Sequence, residues 1–182
     1  YRAMVGLALA VGVGIVVGLA MAGVRAVEWF FDPIIAIGFP MPKVAFIPIF
    51  VLWFGIFDQS KIALVFVATV FPVVIATYRG AKSVDQYLLW SAQSLGTSKF
   101  RAFYRVVLPA TLPETLSGVQ IAVPIAFIAV FVAEMVAGGS GLGHFMNVSA
   151  RTMRTTSVFT GLFTISLVGY LASKAAEILR YH

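Results

Sequence analysis

Residues 3–24, AMVGLALAVGVGIVVGLAMAGV, run for 22 positions without a charged side chain. A helix that crosses the hydrocarbon core of a bilayer needs about 20 predominantly apolar residues, so this stretch is long enough to span it. The apolar residues follow one another without the two-residue alternation of a membrane β-barrel strand. The stretch therefore predicts a transmembrane α-helix, and it decides the class of the fold.

Four further apolar segments are candidate spans. They cover residues 44–57, 62–78, 112–137 and 158–172. The first of these is short, contains Pro48 and follows two other prolines, so we expect it to be tilted, broken or partly interfacial. Pro72 and Pro124 lie inside later segments, where neighbouring helices can satisfy the carbonyls that a proline frees. The predicted fold is all-α, a polytopic bundle of about five transmembrane helices in a single domain over residues 1–182.

The composition agrees with a membrane protein and excludes other classes. Of 182 residues, 60% are hydrophobic and 11% are charged, whereas a soluble domain carries about 25% charged residues. Because the sequence has no cysteine, thiolate chemistry and disulfides are excluded, and its two isolated histidines have no metal-ligand spacing. We predict no metal, and we expect the chain to be part of a slightly longer polypeptide.

The basic residues predict the orientation. The net charge is +6, and an excess of this kind orients membrane helices more often than it binds nucleic acid. If the basic stretch 79–105 is cytoplasmic, an antiparallel bundle places nine basic residues inside and four outside, as the positive-inside rule requires. The first helix then enters from the outside and the C-terminus is cytoplasmic. The nine are Arg25, Lys43, Arg79, Lys82, Lys99, Arg101, Arg105, Lys174 and Arg180, and the four are Arg2, Lys61, Arg151 and Arg154.

Small residues recur at every fourth position of the first helix, at Gly6, Ala10, Gly14, Gly18 and Ala22. This spacing places them on one face, where another backbone can approach closely. The stripe predicts either packing within the bundle or a contact between subunits.

The cytoplasmic loop, residues 83–108, carries most of the functional information. Its first half, Asp85–Leu95, is rich in apolar and helix-forming residues, and Gly96 breaks the run. A second helix with an apolar face follows, and Pro109 and Pro113 are expected to mark the turn by which the chain re-enters the membrane. From the residues alone this elbow could rest on anionic lipid, serve as a packed linker or dock to another protein.

The order of residues in this loop resembles the signature loop of the permease subunits of ABC importers. That signature is a Glu-Ala-Ala triplet, three residues, a glycine, and a hydrophobic stretch that ends in Leu-Pro with another proline four residues later. The glycine is Gly96, the Leu-Pro pair is Leu108–Pro109, and the last proline is Pro113. The triplet position holds Trp90–Ala92, so the glutamate and the first alanine are absent.

The resemblance extends over nearly the whole chain. Residues 40–55 (PMPKVAFIPIFVLWFG), 132–135 (VAEM) and 138–143 (GGSGLG) resemble, in this order, the nitrate, sulfonate and taurine branch of the family. The resemblance implies a type I importer core in the bacterial cytoplasmic (inner) membrane. It also implies two ATP-binding ABC subunits, an extracytoplasmic solute-binding protein and a second permease copy as partners. We expect a homodimer, because a single five-helix bundle cannot readily enclose a central path.

In such importers the helix before the glycine is the coupling helix, which sits in a cleft of the ATPase. The resemblance therefore assigns ATPase coupling to Asp85, Leu89, Trp90, Ser91, Ala92, Leu95 and Gly96, and a structural hinge to Leu108, Pro109 and Pro113. Trp90 is expected to replace the contact of the missing glutamate by apolar docking. We expect no catalytic site and no cofactor in this chain, because it lacks a phosphate-cradling loop that ends in Gly-Lys-Ser/Thr. ATP and Mg²⁺ are expected on the partner ATPase.

Candidates for the translocation path lie on the fourth apolar segment and after it. Apart from Glu114 at the start of the fourth segment, Glu134 is the only acidic residue inside the five segments, and an ionisable group at membrane depth is a functional candidate by default. It is expected either to support a gate by bonding the glycine loop or to contact substrate. Ser117 and Gln120 are expected to line the path or to bond between helices, and Gly139 and Gly141 are gate candidates in the outer loop.

The sequence thus predicts the permease subunit of an ATP-driven importer that moves a small solute by alternating access. The expected solute is a sulfonate, taurine, nitrate or a similar anion. The alternative is a non-transporting integral membrane scaffold protein whose surface elbow binds lipid.

Overall fold

The computed structural model describes residues 1–95 and 97–181. The predicted breaker Gly96 therefore lies outside the described residues, as does the side chain of Ala92. Within the described part every regular element is helical. The elements are α1 (Arg2–Gly23), α2 (Arg25–Gly38), a 3₁₀ turn (Lys43–Phe46), α3 (Ile47–Phe54), α4 (Asp58–Lys82), α5 (Gln86–Ser94), α6 (Lys99–Ala102), a π-turn (Phe103–Val107), α7 (Leu108–Ala137), α8 (Leu142–Arg151) and α9 (Thr155–Tyr181).

The predicted all-α membrane bundle is confirmed. Helices α1, α4 and α9 and the continuous helix Phe100–Ala137 are each long and apolar enough to cross a membrane. Helices α2 and α3 together form a fifth candidate, bent by 98° between them. These five correspond to the five predicted spans.

The second span differs from its predicted bounds, because it includes α2 as well as α3 and so begins at Arg25 instead of residue 44. Proline has no backbone N–H, so Pro40 and Pro42 cannot continue a helix, and α2 ends at Gly38. The chain resumes regular α-helix at Ile47, with a proline in the first turn where no hydrogen bond is lost. The expected break in this span is therefore observed.

Helix α4 is the centre of the bundle and packs most extensively against α1 and α7. The small residues of α1 face it, since a Cβ on Gly6 would lie 2.7 Å from the Val65 side chain and one on Gly18 would lie 2.8 Å from that of Thr77. The same closeness holds between α4 and α7, where a Cβ on Gly118 would lie 2.5 Å from the Ala76 Cβ. The glycines of the α1 stripe therefore pack inside the bundle, as the first of the two predicted alternatives proposed.

The contact between α1 and α4 predicts that alanine substitutions at two nearby glycines of α1 have very different effects on stability. A Cβ on Gly14 would lie 2.7 Å from the Val73 side chain, whereas one on Gly12 would meet no atom of the described residues within 4 Å apart from the backbone of its own helix. Gly14→Ala is expected to destabilise the protein by about 1–3 kcal/mol through overpacking. Gly12→Ala is expected to be neutral or stabilising by up to about 1 kcal/mol, because alanine is the better helix former. Unfolding of the two variants by SDS titration in mixed micelles measures the difference, and equal stabilities contradict this packing.

The chain does not turn at Pro109, contrary to the sequence-based expectation. Helix α6, the π-turn and α7 run on as one helix, and Pro109 occupies the first turn of α7 directly after the π-turn. A proline ring clashes with the carbonyl four residues earlier. Here that carbonyl belongs to Arg105, where the π-turn widens the backbone. The helix that becomes α7 therefore begins already at Lys99, after the non-helical residues 97 and 98, and enters the bundle without a break.

Following the predicted orientation, we call the end of the bundle that contains Arg2 the outer end. Asp58, Glu134 and Ser140 meet Arg2 there. At the opposite, cytoplasmic end, Glu28 accepts hydrogen bonds from the Tyr78 hydroxyl and, at 3.1 Å, from the Lys82 ammonium.

Lys43 was assigned to the cytoplasmic side, and this assignment is wrong. Its ammonium lies 5.4 Å from the centre of the Phe71 ring, and Phe71 is near the middle of α4. The assignment failed because it treated every basic residue as part of a loop outside the membrane, whereas α2 brings the chain back into the bundle before Lys43.

Candidate functional site

The surface helix α5 contains or adjoins the residues predicted for ATPase coupling. The Asp85 carboxylate accepts a hydrogen bond from the backbone N–H of Tyr87 at 2.8 Å, which caps the start of the helix. Leu89, Trp90 and Ser91 lie within α5, and Leu95 follows its last turn. The structure thus brings the described members of this set together on one short element.

Helix α5 presents apolar side chains without covering them. Trp90 is 54% exposed, and Tyr87, Leu88 and Leu95 are also exposed. Tyr87 and Trp90 stand one turn apart with their rings edge to face, 5.4 Å between centres. Of the described helices, α6 is the one against which α5 packs to any extent. A patch of this composition, with aromatic anchors on a helix, is typical of a protein–protein contact.

The hinge residues lie where this surface region joins the bundle. Leu108 and Pro109 begin α7, and Pro113 lies one turn further on. The Thr111 hydroxyl donates to the Val107 carbonyl at 2.7 Å, which is in the last turn of the π segment. π-Turns and internal prolines are the usual places at which a membrane helix bends. The hinge role of these residues stays a prediction.

The outer charge cluster comprises Arg2, Asp58, Lys61 and Glu134. The Arg2 guanidinium donates from Nε to the Asp58 carboxylate at 2.7 Å and from Nη1 to the Glu134 carboxylate at 2.5 Å. It also donates to the Ser140 carbonyl at 2.9 Å and to the Ser140 hydroxyl at 2.7 Å. One side chain therefore joins α1, α4, α7 and the glycine loop.

The glycine loop between α7 and α8 folds over the Glu134 carboxylate. Gly138, Gly139 and Gly141 have positive φ angles of 73°, 90° and 117°, which residues other than glycine rarely adopt. The backbone N–H of Gly143 donates to the second Glu134 oxygen at 3.1 Å. One carboxylate oxygen is thus bound to Arg2 and the other to the backbone that follows the loop. This geometry favours support of the loop over direct contact with substrate.

The sequence predicts Lys61 as one of four outer charges, and the structure shows in addition that it is buried, with 2% of its surface exposed. It lies within electrostatic range of Asp58, Glu134 and Arg2, so the cluster contains two cations and two anions. A Cβ on Gly139 would lie 3.3 Å from the Lys61 ammonium nitrogen, which places the loop directly against this charge. The sequence signal that was available is its position one turn after Asp58, at the start of an apolar run.

The other path candidates lie apart from the cluster. The Ser117 hydroxyl donates to the Pro113 carbonyl at 2.9 Å, and Gln120 is half-buried. Gln120 precedes Glu134 by 14 residues on α7, which corresponds to about 21 Å along a helix. The structure therefore does not bring Ser117 and Gln120 together with the cluster, and a role for them in the path stays a prediction.

Comparison with known protein families gives one clear match. Residues 10–181 match the family described as the inner membrane component of binding-protein-dependent transport systems. This range begins within α1 and ends at the last described residue of α9, so the matching region contains the greater part of the first candidate span and the other four entirely.

Individual relatives agree with this match. The chain is 37% identical over 179 residues to the taurine transport system permease protein of Escherichia coli, covering 98% of this chain and 65% of the relative. It is also 37% identical over 175 residues to the formylaminopyrimidine transport permease protein of Halalkalibacterium halodurans, covering 96% of this chain and 70% of the relative. The chain thus spans about two thirds of the length of these relatives.

Solved structures share the fold. A methionine ABC transporter in inward-facing conformations gives a TM-score of 0.75 at 17% identity, covering 99% of this chain and 92% of that chain. An amino acid ABC transporter gives a TM-score of 0.71 at 16% identity, covering 99% and 87% respectively. At these identities the similarity concerns the fold alone.

Proposed function

Because this chain belongs to the family of binding-protein-dependent transport system inner membrane components, we propose that it is the permease subunit of an ATP-driven ABC importer. It moves a small solute across the membrane by alternating access. The energy comes from ATP and Mg²⁺ bound by two partner ATPase subunits, and an extracytoplasmic binding protein delivers the solute. A second, identical copy of the permease completes the path.

One observation carries this proposal, namely the uncovered apolar surface of α5. The helix is short, capped by Asp85, and connected on one side to α4 and on the other to the continuous helix that becomes α7. Those two helices form one of the most extensive contacts of the bundle. A displacement of α5 by a bound partner is therefore transmitted directly into the core.

The proposed role of α5 distinguishes a protein partner from a lipid surface. Residues 86–94 contain no charged side chain, and the basic residues of the elbow lie on the following segment. Attraction to anionic lipid depends on clustered Lys and Arg, which α5 does not supply. Tyr and Trp also occur at the headgroup level of membranes, so the absence of charge from α5 is what favours a protein partner.

The outer charge cluster serves this function as support for an outer gate. A cleft of about 540 Å³ opens beside it and is lined by Arg2, Asp58, Lys61, Gly139 and Ser140. Opening the cleft further would separate the guanidinium of Arg2 from at least one of its partners. The cluster therefore favours the closed arrangement of the outer gate until another interaction offsets the loss of this contact.

The proposed solute is a small anion of the sulfonate class, including taurine. This follows the similarity to a taurine permease over 98% of the chain. The formylaminopyrimidine permease among the relatives shows why the solute needs a direct test.

The test replaces Trp90, the most central exposed aromatic of α5. We expect Trp90→Asp in the full-length permease to abolish co-purification with the ATPase subunits and stimulation of their ATP hydrolysis by the loaded binding protein. The physical reason is that a carboxylate cannot enter an apolar cleft without a large desolvation cost. The measurements are pull-down from detergent and ATP hydrolysis in proteoliposomes.

Tyr104→Asp is the matched control, because Tyr104 is also an exposed aromatic of the elbow but lies in the π-turn. It should leave co-purification and stimulation near the wild-type level. If Trp90→Asp couples normally, or if the wild-type protein never associates with an ATPase, the importer assignment of α5 is wrong. A lipid-binding scaffold predicts instead that both substitutions weaken membrane-surface contact equally.

A further inference from the structure

Lys43 places a positive charge near the middle of the membrane. Its ammonium lies 5.4 Å from the centre of the Phe71 ring. At a rise of 1.5 Å per residue, Phe71 is about 20 Å from the Asp58 end of α4 and about 17 Å from the Lys82 end. The charge is therefore distant from both aqueous ends of the bundle.

No carboxylate in the described part of the chain pairs with this ammonium. It donates to the carbonyl of Phe39 and lies over the rings of Phe39 and Phe71. These contacts orient the charge without neutralising it. A lysine at the bilayer centre is costly against lipid, and such residues almost always face a protein interior or a water-filled cavity.

The backbone at this depth also departs from regular α-helix. Helix α2 ends at Gly38 and α3 begins at Ile47, with the 98° bend between them. Irregular backbone is tolerated at membrane depth where it is buried in protein or lines a wet cavity. In transport proteins, broken helices of this kind supply the polar groups of binding sites near the midplane.

A cleft of about 290 Å³ opens beside Lys43, between the corner of the broken span and helices α4 and α7. Its wall is apolar and includes Leu64, Ala68, Ile125 and Ala129, and among the described residues that line it Lys43 is the one with a charge. A mainly apolar pocket with a single convergent charge is the usual design of a small-ligand site. It fits a compact anionic head on a short organic body.

We propose that Lys43 and the corner at residues 39–46 form the site in the membrane where the anionic head of the solute, a sulfonate or a chemically similar oxyanion, binds during transport. This inference rests on the proposed importer function and adds a location to it. The ammonium exchanges its backbone carbonyl contact for the anion, and the apolar wall holds the organic part.

Uptake by the reconstituted full-length complex tests the role of the charge, with labelled taurine and methanesulfonate as probes. We expect Lys43→Met to lower uptake by about tenfold or more, because the variant loses one charge-assisted hydrogen bond to a desolvated anion. Lys43→Arg should retain most of the uptake. The control Lys82→Met removes a lysine that pairs with Glu28 at the cytoplasmic end and should leave uptake within about twofold.

A labelling experiment tests the site independently of transport, and it exploits the absence of cysteine from this sequence. Val44 lines the cleft and is exposed, so Val44→Cys should react with a water-soluble methanethiosulfonate. Taurine or methanesulfonate should slow this reaction, and Lys43→Met should remove the protection. Leu167, midway along the apolar α9, is exposed, and Leu167→Cys is the control that we expect to lie against lipid and not to react.

The outcomes separate the two proposals. The site is overturned if Lys43→Met takes up solute at the wild-type rate, or if no anion slows the labelling of Val44→Cys. Either result leaves the importer function intact. A Val44→Cys that does not react places this face against lipid and overturns the site as well. A wild-type complex without ATP-dependent uptake overturns the importer function. In that case an anion site in the cleft is still supported if anions protect Val44→Cys from labelling and Lys43→Met abolishes this protection.

Discussion

Glu134→Ala is expected to destabilise the full-length permease by roughly 3 kcal/mol, the lower end of the cost of removing one partner from a buried ion pair. The variant leaves the Arg2 guanidinium without its 2.5 Å partner and the backbone N–H of Gly143 without an acceptor. The cost stays at the lower end because Asp58 still holds Arg2 at 2.7 Å. Unfolding by SDS titration in mixed micelles measures the difference.

Glu177→Ala is the control for this measurement. Glu177 pairs with Lys174 at 2.8 Å on the exposed side of α9, three residues apart. An exposed helical pair of this kind contributes less than about 0.5 kcal/mol. The destabilisation by Glu134→Gln should lie between those of Glu134→Ala and Glu177→Ala, because glutamine keeps a hydrogen-bond acceptor and loses the charge. If Glu134→Ala is no more harmful than Glu177→Ala, the cluster does not stabilise the outer end.

Gly141→Ala is the second substitution expected to have a large effect. The φ angle of 117° at Gly141 lies in a region that is almost exclusive to glycine, and forcing a side chain there costs about 1–3 kcal/mol. A Cβ at this position would also lie 2.1 Å from the Glu134 carboxyl carbon. The total should therefore exceed the backbone cost alone, since the loop must withdraw from the carboxylate.

Gly138→Ala separates the two contributions to this cost. Gly138 has φ 73° and ψ −153°, in the same glycine-only region of backbone space, but the nearest described atom to its Cβ would be the His144 Nδ1 at 3.7 Å. Gly138→Ala should therefore lower the free energy of unfolding by the backbone penalty alone, about 1–3 kcal/mol. In a double-mutant cycle, Gly141→Ala should cost less in a Glu134→Ala background, because the collision has been removed. Equal costs in both backgrounds would show that the loop does not fold over Glu134.

The number and class of the spans could be predicted because length and continuity of an apolar run are local properties. Helix α2 was missed as part of a span for a local reason as well. Glu28 and Asp32 interrupt its apolar sequence, and only the folded chain shows that the Glu28 carboxylate is satisfied by Tyr78 and Lys82.

The candidate sites show the difference between features formed by consecutive residues and features that depend on the folded chain. That Trp90 and its neighbours share one surface helix could be predicted from one short stretch, because such a helix is built from consecutive residues. The contact between Arg2 and Glu134 joins positions 132 residues apart, and no periodicity of either segment indicates it. The depth of Lys43 depends on the path of the two half-helices before and after it, which composition does not specify.

The glycine-lined contacts of α4 have a mechanical consequence. Three helices whose backbones are this close cannot slide past one another by part of a turn, because each step would drive side chains into the neighbouring backbone. Helices α1, α4 and α7 should therefore move together as one rigid block. Motion within the subunit is left to the parts with looser contacts, which are the corner between α2 and α3 and the weakly packed α9. If α5 binds a partner as proposed, its displacement then reaches the outer end as a rotation of the whole block.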